Sequence, residues 1–297
     1  MPKAPTFKIN VSELHMCRRC PRLLAWQLSG KTTAWHVGRK GKSFCGSIFH
    51  DNIAAPFHND AAGQNGVKKR RSILEVFKSH PNDAHAMKKA LFGCIYQNYF
   101  SPFLDEHSHT LSNEQIGLLG NIIEKWGDFL IDFFHRNSGF REVPEAFTDH
   151  AFLPPEKTMK ASYIATNGTV LTVSGRFDSA LLDHTRGEVL LVEYKCLKET
   201  DPTVELAQLA LYAWLIREHT GLLPRSCVLY LEEENPLVHF SAIVTGEVIS
   251  ELPKLFDTAI QVMQAVKSGK ETIPKTDNPT LCKQCPFNMN CDSRFGS

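Results

Sequence analysis

The stretch that decides the fold is residues 175–195, GRFDSALLDHTRGEVLLVEYK. Two apolar runs flank a turn-forming segment, His184–Gly187, and this pattern predicts a β-hairpin. Val189–Val192 is a continuous apolar run, as found in strands that are buried on both faces of a sheet. Pairing of these two strands would bring the side chains of Asp178 and Glu193 together.

The segments around this hairpin predict an α/β protein. Ser12 is expected to cap the first helix, and Ser112 with Gln115 to form a capping box before the long helix. The predicted helices cover residues 12–28, 113–137, 203–219 and 247–268. The predicted strands cover residues 141–147, 161–164, 170–182, 188–196, 226–232 and 237–244. This order of elements favours a mixed central sheet covered by helices.

The composition excludes several classes of protein. Lys and Arg total 33 against 32 Asp and Glu, a net charge of +1, so overall charge does not drive nucleic-acid binding. Local contacts to phosphates remain compatible with that balance. The longest apolar run, Leu209–Ile216, has eight residues, far fewer than the ~20 that span a bilayer. The first residues contain no apolar signal core, so we expect a cytoplasmic protein with no membrane partner.

The paired carboxylates indicate a metal site. Asp178 and Glu193 would repel each other unless a cation bridged them, and their oxygen atoms suit Mg²⁺ or Mn²⁺. Alternate residues of a strand share a face, so Lys195 lies on the same face as Glu193. Lys195 could stabilise an attacking hydroxide or the transition state at a phosphate. The alternative interpretation of Glu193-x-Lys195 is a simple salt bridge at a strand end.

Three further polar residues are candidates for the same site. Gln208 and Tyr212 are four residues apart on an apolar helix and therefore share one face. His50 could offer a neutral imidazole to a metal ion. Taken singly, each of these residues is more typical of a structural role in the core.

The nine cysteines are concentrated near the two ends of the chain. Their odd number argues against a disulfide framework and for metal or redox use. Zinc could be bound by two CxxC pairs, Cys17 with Cys20 and Cys282 with Cys285. An iron–sulfur cluster could instead use one distant cysteine and three clustered ones.

The order of these motifs resembles the RecB-like branch of the PD-(D/E)XK nucleases. The matching residues are His50, Gly175-x-x-Asp178, Glu193-x-Lys195 and Gln208-x-x-x-Tyr212. The resemblance implies a PD-(D/E)XK fold in which His50, Asp178, Glu193 and the backbone carbonyl of Tyr194 hold Mg²⁺ or Mn²⁺. It also implies that Lys195 is the catalytic lysine, and that Gln208 and Tyr212 orient the site and contact substrate.

The cysteine spacing resembles that of iron–sulfur members of this branch, which include the AddB-type nuclease and the CRISPR-associated RecB-type exonucleases. In these families one cysteine precedes the nuclease motifs and three follow as C-x₂-C-x₅-C, as in residues 282–291. The resemblance implies a 4Fe-4S cluster on Cys20, Cys282, Cys285 and Cys291, with Cys17 as the alternate ligand. Such a cluster would join the two terminal segments.

The resemblance extends from about Cys17 to Cys291 and implies one elaborated nuclease domain over residues 1–297. We expect an N-terminal helical segment (12–50), a helical insertion (51–138), a nuclease core (139–268) and a C-terminal cysteine cluster (269–297). The implied function is metal-dependent DNA exonuclease activity on single strands or DNA ends, in CRISPR adaptation, DNA repair or phage defence. An adaptation integrase or a helicase is the implied partner. The alternative function is a DNA-binding or assembly subunit with a silent nuclease site.

Overall fold

The computed structural model of the chain describes residues 5–30, 42–57, 83–137, 158–196, 202–231, 239–240, 246–269, 272–285 and 287–295. The predicted strand over residues 141–147 lies outside these ranges. The strands are β1 (Thr6–Asn10), β2 (Met159–Ile164), β3 (Val170–Gly175), β4 (Ser179–Asp183), β5 (Glu188–Lys195), β6 (Arg225–Tyr230) and β7 (His239–Phe240).

The helices surround these strands in the following order. Toward the N-terminus they are α1 (Val11–Arg19), α2 (Pro21–Leu28), α3 (Lys42–Ile48), α4 (Ala84–Ile95), α5 (Ser101–His107) and α6 (Asn113–Asn137). Toward the C-terminus they are α7 (Pro202–Thr220), α8 (Gly246–Ser250), α9 (Leu252–Ser268), α10 (Pro279–Gln284) and α11 (Asn288–Phe295). Helices α3 and α4 continue directly into π-helical segments, Phe49–Ala54 and Tyr96–Phe100.

The described strands form two mixed sheets, whereas the sequence predicted a single central sheet. One sheet has the order β1-β3-β2 and the other has the order β4-β5-β6-β7. The single strand predicted over residues 170–182 is wrong, because the chain leaves β3 after Gly175 and enters β4 at Ser179. Burial alternates along β3 but is nearly continuous along β4, in keeping with their places in different sheets.

Strand β1 was not predicted. It runs parallel to β3, with Ile9 opposite Val173, and Ile9 is its one fully buried residue. A five-residue strand with so little apolar character gives a weak periodic signal.

The first helical segment is interrupted at Cys20, which corrects the continuous helix predicted over residues 12–28. Pro21 disfavours helical backbone at the residue before it, and Cys20 is extended, with φ −164° and ψ 120°. The helix cap is Asn10, not Ser12, and Asn10 forms a capping box with Glu13. The break leaves the Cys20 thiol between two helices.

The helices after residue 100 follow the sequence patterns more closely. The capping box at the start of α6 is confirmed, since Gln115 N donates to Ser112 Oγ at 3.2 Å and Ser112 N donates to Gln115 Oε1 at 2.8 Å. The helix predicted over residues 247–268 is divided near Glu251, because Pro253 starts a new helix.

None of the described helices combines the length and the hydropathy needed to cross a bilayer.

The sheet that contains β5 separates two hydrophobic cores. On one face, Leu191 packs in the core formed with α1, α2, α7 and α9. On the other face, Leu190, Val192 and Tyr194 pack in the core formed with α3, α4 and α6. The prediction that Val189–Val192 is buried on both faces is therefore confirmed. Polar side chains at the end of β5 consequently lie between helices from both layers.

Candidate active site

The hairpin brings the two predicted carboxylates together. Strands β4 and β5 are antiparallel, with Ser179 opposite Val192, and one further step of this register sets Asp178 opposite Glu193. Tyr194 N donates a hydrogen bond of 2.8 Å to Asp178 Oδ2. This bond orients the Asp178 carboxylate at the end of β5.

His50 reaches the same place from the helical layer. It lies in the π-helical segment that continues α3, a conformation that is frequent at functional sites. Its Nε2 atom is 3.1 Å from the carbonyl oxygen of Tyr194, and its Nδ1 atom is 3.4 Å from Asp178 Oδ1. The imidazole therefore lies within hydrogen-bonding range of both the carbonyl and the carboxylate with which it was predicted to share a metal.

Glu193 is the most deeply buried charged group of the site, with 5% of its surface exposed. Its Oε1 atom accepts hydrogen bonds from Lys195 Nζ and Gln208 Nε2, each at 2.8 Å. Its Oε2 atom is buried without a hydrogen-bond partner. Burial raises the pKa of Glu193 above its ordinary value of 4.5, and the nearby Asp178 charge raises it further, although Lys195 and His50 oppose the shift.

Lys195 and Gln208 complete the polar arrangement around Glu193. Lys195 Nζ also donates to Gln208 Oε1 at 3.1 Å, so the three side chains bond to one another. The salt bridge that was the alternative interpretation of Glu193-x-Lys195 is present, but it lies inside the site and not at an isolated strand end. Gln208 thus lies on the face of α7 that meets β5.

Tyr212 lies one helical turn from Gln208 and is 6% exposed. Burial is the largest cause that raises the pKa of Tyr212, followed by the charges of Glu193 and Asp178. A Cβ atom added to Gly175 would lie 3.0 Å from Tyr212 Cε1 and 2.6 Å from Val11 Cγ2. The glycine of the Gly175-x-x-Asp178 motif is thus needed for this close approach. Contact between Tyr212 and substrate stays a prediction.

The donor set suits a hard divalent cation. The Asp178 carboxylate, the Tyr194 carbonyl and the unsatisfied Glu193 Oε2 are oxygen donors of the type that Mg²⁺ and Mn²⁺ prefer. In the described part of the chain, no three His, Cys, Asp or Glu side chains by themselves form a preorganised metal site. Two features account for this. Lys195 and Gln208 both donate hydrogen bonds to one oxygen of Glu193, and one of the expected ligands is a backbone carbonyl and not a side chain. The residues therefore fit the cation, with a small rearrangement of Glu193.

The cysteines predicted as cluster ligands converge at a second location. Cys20, Cys282, Cys285 and Cys291 line one pocket between α2 and the C-terminal helices. The pKa of the Cys285 thiol is raised, first by burial and also by the proximity of Cys291, Cys20 and Cys282. Thiolates are the ligands of iron–sulfur and zinc sites, but the cysteines of the described residues are not arranged as a preorganised metal site.

Cys17, the alternate ligand, does not line this pocket. It is 2% exposed within the hydrophobic core, and burial raises the pKa of its thiol to about 12. A thiol that resists deprotonation is a poor metal ligand in its own environment. The geometry thus favours Cys20 over Cys17 as the upstream member of the set.

Aromatic packing attaches the C-terminal segment to α2 beside the pocket. Trp26 stacks on Phe287 with ring centroids 4.6 Å apart and meets the edge of Phe295 at 5.0 Å. The sequence reasoning did not identify Arg22 and Lys275, which also line the pocket. The Cys20-Pro21-Arg22 order was the one signal that could have indicated Arg22.

A comparison with protein-family models defines the class to which this fold and site belong. Residues 8–292 match the model of the PD-(D/E)XK nuclease superfamily. The chain therefore belongs to this superfamily, whose members are metal-dependent nucleases that typically use Mg²⁺ or Mn²⁺. None of the curated protein sequences compared with the chain gives a significant match.

Proposed function

We propose that the protein is a metal-dependent DNA exonuclease that acts on single-stranded DNA or on DNA ends. The observation that carries this proposal is the convergence of His50, Asp178, Glu193 and Lys195 at the end of β5. These residues come from three separate elements. They are the π-helical extension of α3, strand β5 and the segment before β4. Membership of a nuclease superfamily makes phosphodiester hydrolysis the chemistry to be explained.

Each residue has a role in this proposal. Asp178, Glu193, His50 and the Tyr194 carbonyl would hold Mg²⁺ or Mn²⁺, which lowers the pKa of a water ligand and neutralises charge on a phosphate. Lys195 would place its ammonium group against the charge that develops in the transition state. Gln208 would keep Glu193 and Lys195 oriented, since it bonds to both side chains.

The proposed DNA substrate requires a local grip on phosphates, and one partly exposed cation lies beside the site. Arg176 stands two residues before Asp178, and its side chain is 55% exposed. It lies 3.8 Å from Asp51, which follows His50 in the chain. A cation at the rim of the carboxylate pair is suited to a neighbouring phosphate of the same strand.

The test compares linear and circular single strands of the same sequence, with linear and nicked duplexes in parallel. We expect Mn²⁺-dependent degradation of the linear strands, no cleavage of the circles, and no reaction when a chelator is added. Strands labelled at either end report the polarity. Cleavage of the circles would overturn the exonuclease proposal in favour of an endonuclease. The absence of cleavage on every substrate would favour a DNA-binding subunit with a silent site.

We also propose that the cysteine pocket holds a 4Fe-4S cluster on Cys20, Cys282, Cys285 and Cys291. The support is their shared pocket and the spacing C-x₂-C-x₅-C. When bound, such a cluster would link α2 to the segment after α9 by bonds through iron. Loop-closure reasoning gives such a link a stabilising effect of several kcal/mol.

Iron, sulfide and zinc analysis of protein purified without oxygen tests the cluster. We expect iron and sulfide in equal amounts and a broad absorbance near ~400 nm from sulfur-to-iron charge transfer. A colourless protein that contains one zinc ion per chain would contradict the proposal and establish a zinc thiolate site. The carboxylate site and the cysteine pocket consist of separate residues, so the loss of one assignment leaves the other unaffected.

A further inference from the structure

A buried guanidinium stands at the edge of the cysteine pocket. The side chain of Arg22 is 6% exposed. Its Nε atom donates to the carbonyl oxygen of Ile273 at 2.6 Å, and its Nη1 atom donates to Asp292 Oδ1 at 2.5 Å. The same Nη1 atom lies 3.7 Å from Cys291 Sγ, within the range of an N–H···S hydrogen bond. One buried cation thus contacts a thiol of the pocket directly.

Arg22, Lys275 and Asp292 together carry a net positive charge at this edge of the pocket. Lys275 also lines the pocket and lies 3.4 Å from both carboxylate oxygens of Asp292. Two cations therefore share one carboxylate, and the side chain of that carboxylate is 64% exposed to water. The side chain of Arg22 is buried whereas that of Asp292 is exposed, so solvent screens the charge of Arg22 less than that of Asp292.

We propose that Arg22 is a positioning residue that donates an N–H bond to the Cys291 sulfur and raises the reduction potential of the group held in the pocket. This inference rests on the proposed 4Fe-4S cluster. Reduction adds one electron to the cluster and breaks no bond, so it increases the negative charge on the cluster and its thiolates. A buried cation and an N–H···S bond stabilise that added charge, and both are known determinants of cluster potential.

The competing interpretation makes Arg22 only a clamp. Its bonds to Ile273 and Asp292 attach α2 to the C-terminal segment, and a structural clamp needs no effect on electron affinity. The two interpretations differ for the iron-loaded Arg22→Gln protein. If Arg22 acts electrostatically, loss of its charge lowers the potential. If Arg22 is only a clamp, a variant that keeps its iron keeps the wild-type potential.

The experiment is a dithionite titration of the full chain, purified without oxygen and followed by the spectrum of the reduced cluster. The variants are Arg22→Gln, which removes the charge, Arg22→Lys, which keeps the charge without the planar fork, and Asp292→Asn. The control is Lys283→Gln, since Lys283 is an exposed cation between Cys282 and Cys285 that does not line the pocket. Iron content is measured first in every protein.

We expect Arg22→Gln to lower the ratio of reduced to oxidised cluster at a fixed potential by roughly tenfold, equal to about 59 mV for one electron. Arg22→Lys should recover part of the loss, Asp292→Asn should shift the ratio upward, and Lys283→Gln should change it much less. Equal potentials in the iron-loaded wild type and Arg22 variants would overturn the role of Arg22, and so would an equal shift in Lys283→Gln. Neither result would affect the cluster proposal. If Arg22→Gln loses iron, Arg22→Lys decides, because a potential equal to that of the wild type would overturn the role of the N–H···S bond and a lower one would support it. A wild-type protein without iron would overturn both the cluster and this inference.

Discussion

The carboxylate site and the cysteine pocket are built in different ways. The carboxylate site lies between two hydrophobic cores, and most of its residues come from a single hairpin and the helix that follows it. Its side chains bond to one another, as Lys195, Glu193 and Gln208 do. The cysteine pocket joins the two ends of the described chain, and its thiols come from short helices and the break between α1 and α2.

This difference predicts different consequences of substitution. Residues of the carboxylate site are positioned by the core, so their replacement should remove chemistry while the fold is retained. Residues of the cysteine pocket lie where the C-terminal segment packs on α2, so their replacement should reduce stability and leave the hairpin intact.

The largest effect is expected for Lys195→Ala. Loss of a charge placed against the transition state should lower the cleavage rate by ~10²–10³-fold. The iron absorbance should not change, because Lys195 does not line the cysteine pocket. Rates on a labelled single strand check this, with Lys160→Ala, an exposed lysine on β2, as the control. Equal rates for the two variants would exclude Lys195 as a catalytic residue.

The next effect is expected for Cys282→Ala, which should lose iron and several kcal/mol of stability. Thermal unfolding and iron content are the measurements. The matched control is Cys17→Ala, because Cys17 stands close to Cys20 in the chain but does not line the pocket. Retention of the cluster in Cys282→Ala together with its loss in Cys17→Ala would reverse the assignment of ligands.

A smaller effect is expected for Gly175→Ala. The added methyl group would approach Val11 and Tyr212 within 3.0 Å, and overpacking of this kind costs about 1–3 kcal/mol. The control, Gly117→Ala on α6, meets nothing within 4 Å and should stabilise the helix by roughly 0.5–1 kcal/mol. Denaturant unfolding compares the two variants. A neutral Gly175→Ala would show that Tyr212 is not held by this contact.

The smallest effect is the pH dependence caused by Glu193. Its pKa in the folded protein is raised, so its favourable contribution is complete below about pH 4.5 and is lost as the pH rises through the folded pKa. In the presence of a chelator, Glu193→Gln should therefore be more stable than the wild type at pH 8, with the difference disappearing toward pH 4. Unfolding at several pH values measures this. A difference that grows as the pH falls would contradict the sign.

The hairpin and its site were predictable because their signals are local. The apolar run Val189–Val192, the turn after Asp183 and the alternation from Glu193 to Lys195 together specify strand pairing and side-chain direction. The face shared by Gln208 and Tyr212 follows from helix geometry. These patterns place five residues of the candidate site before any tertiary contact is known.

Other features depend on tertiary contacts and could not be predicted. The division between β3 and β4 follows from their different partners, which no local period encodes. Strand β1 has one buried residue, so its position is fixed by pairing with β3 and not by its own pattern. Arg22 contacts Ile273 and Cys291 near the other end of the chain, and a single sequence gives no indication of that contact.

The most direct test of the central proposal is the rate of Mn²⁺-dependent degradation of a linear single strand by the wild type and by Asp178→Asn. Asp178 is the residue that the hairpin, His50 and the Tyr194 amide all orient. We expect degradation by the wild type and a rate lower by roughly 10²-fold or more in the variant, since metal-assisted charge stabilisation is worth several kcal/mol. Equal rates for the two folded proteins would contradict the assignment of this site.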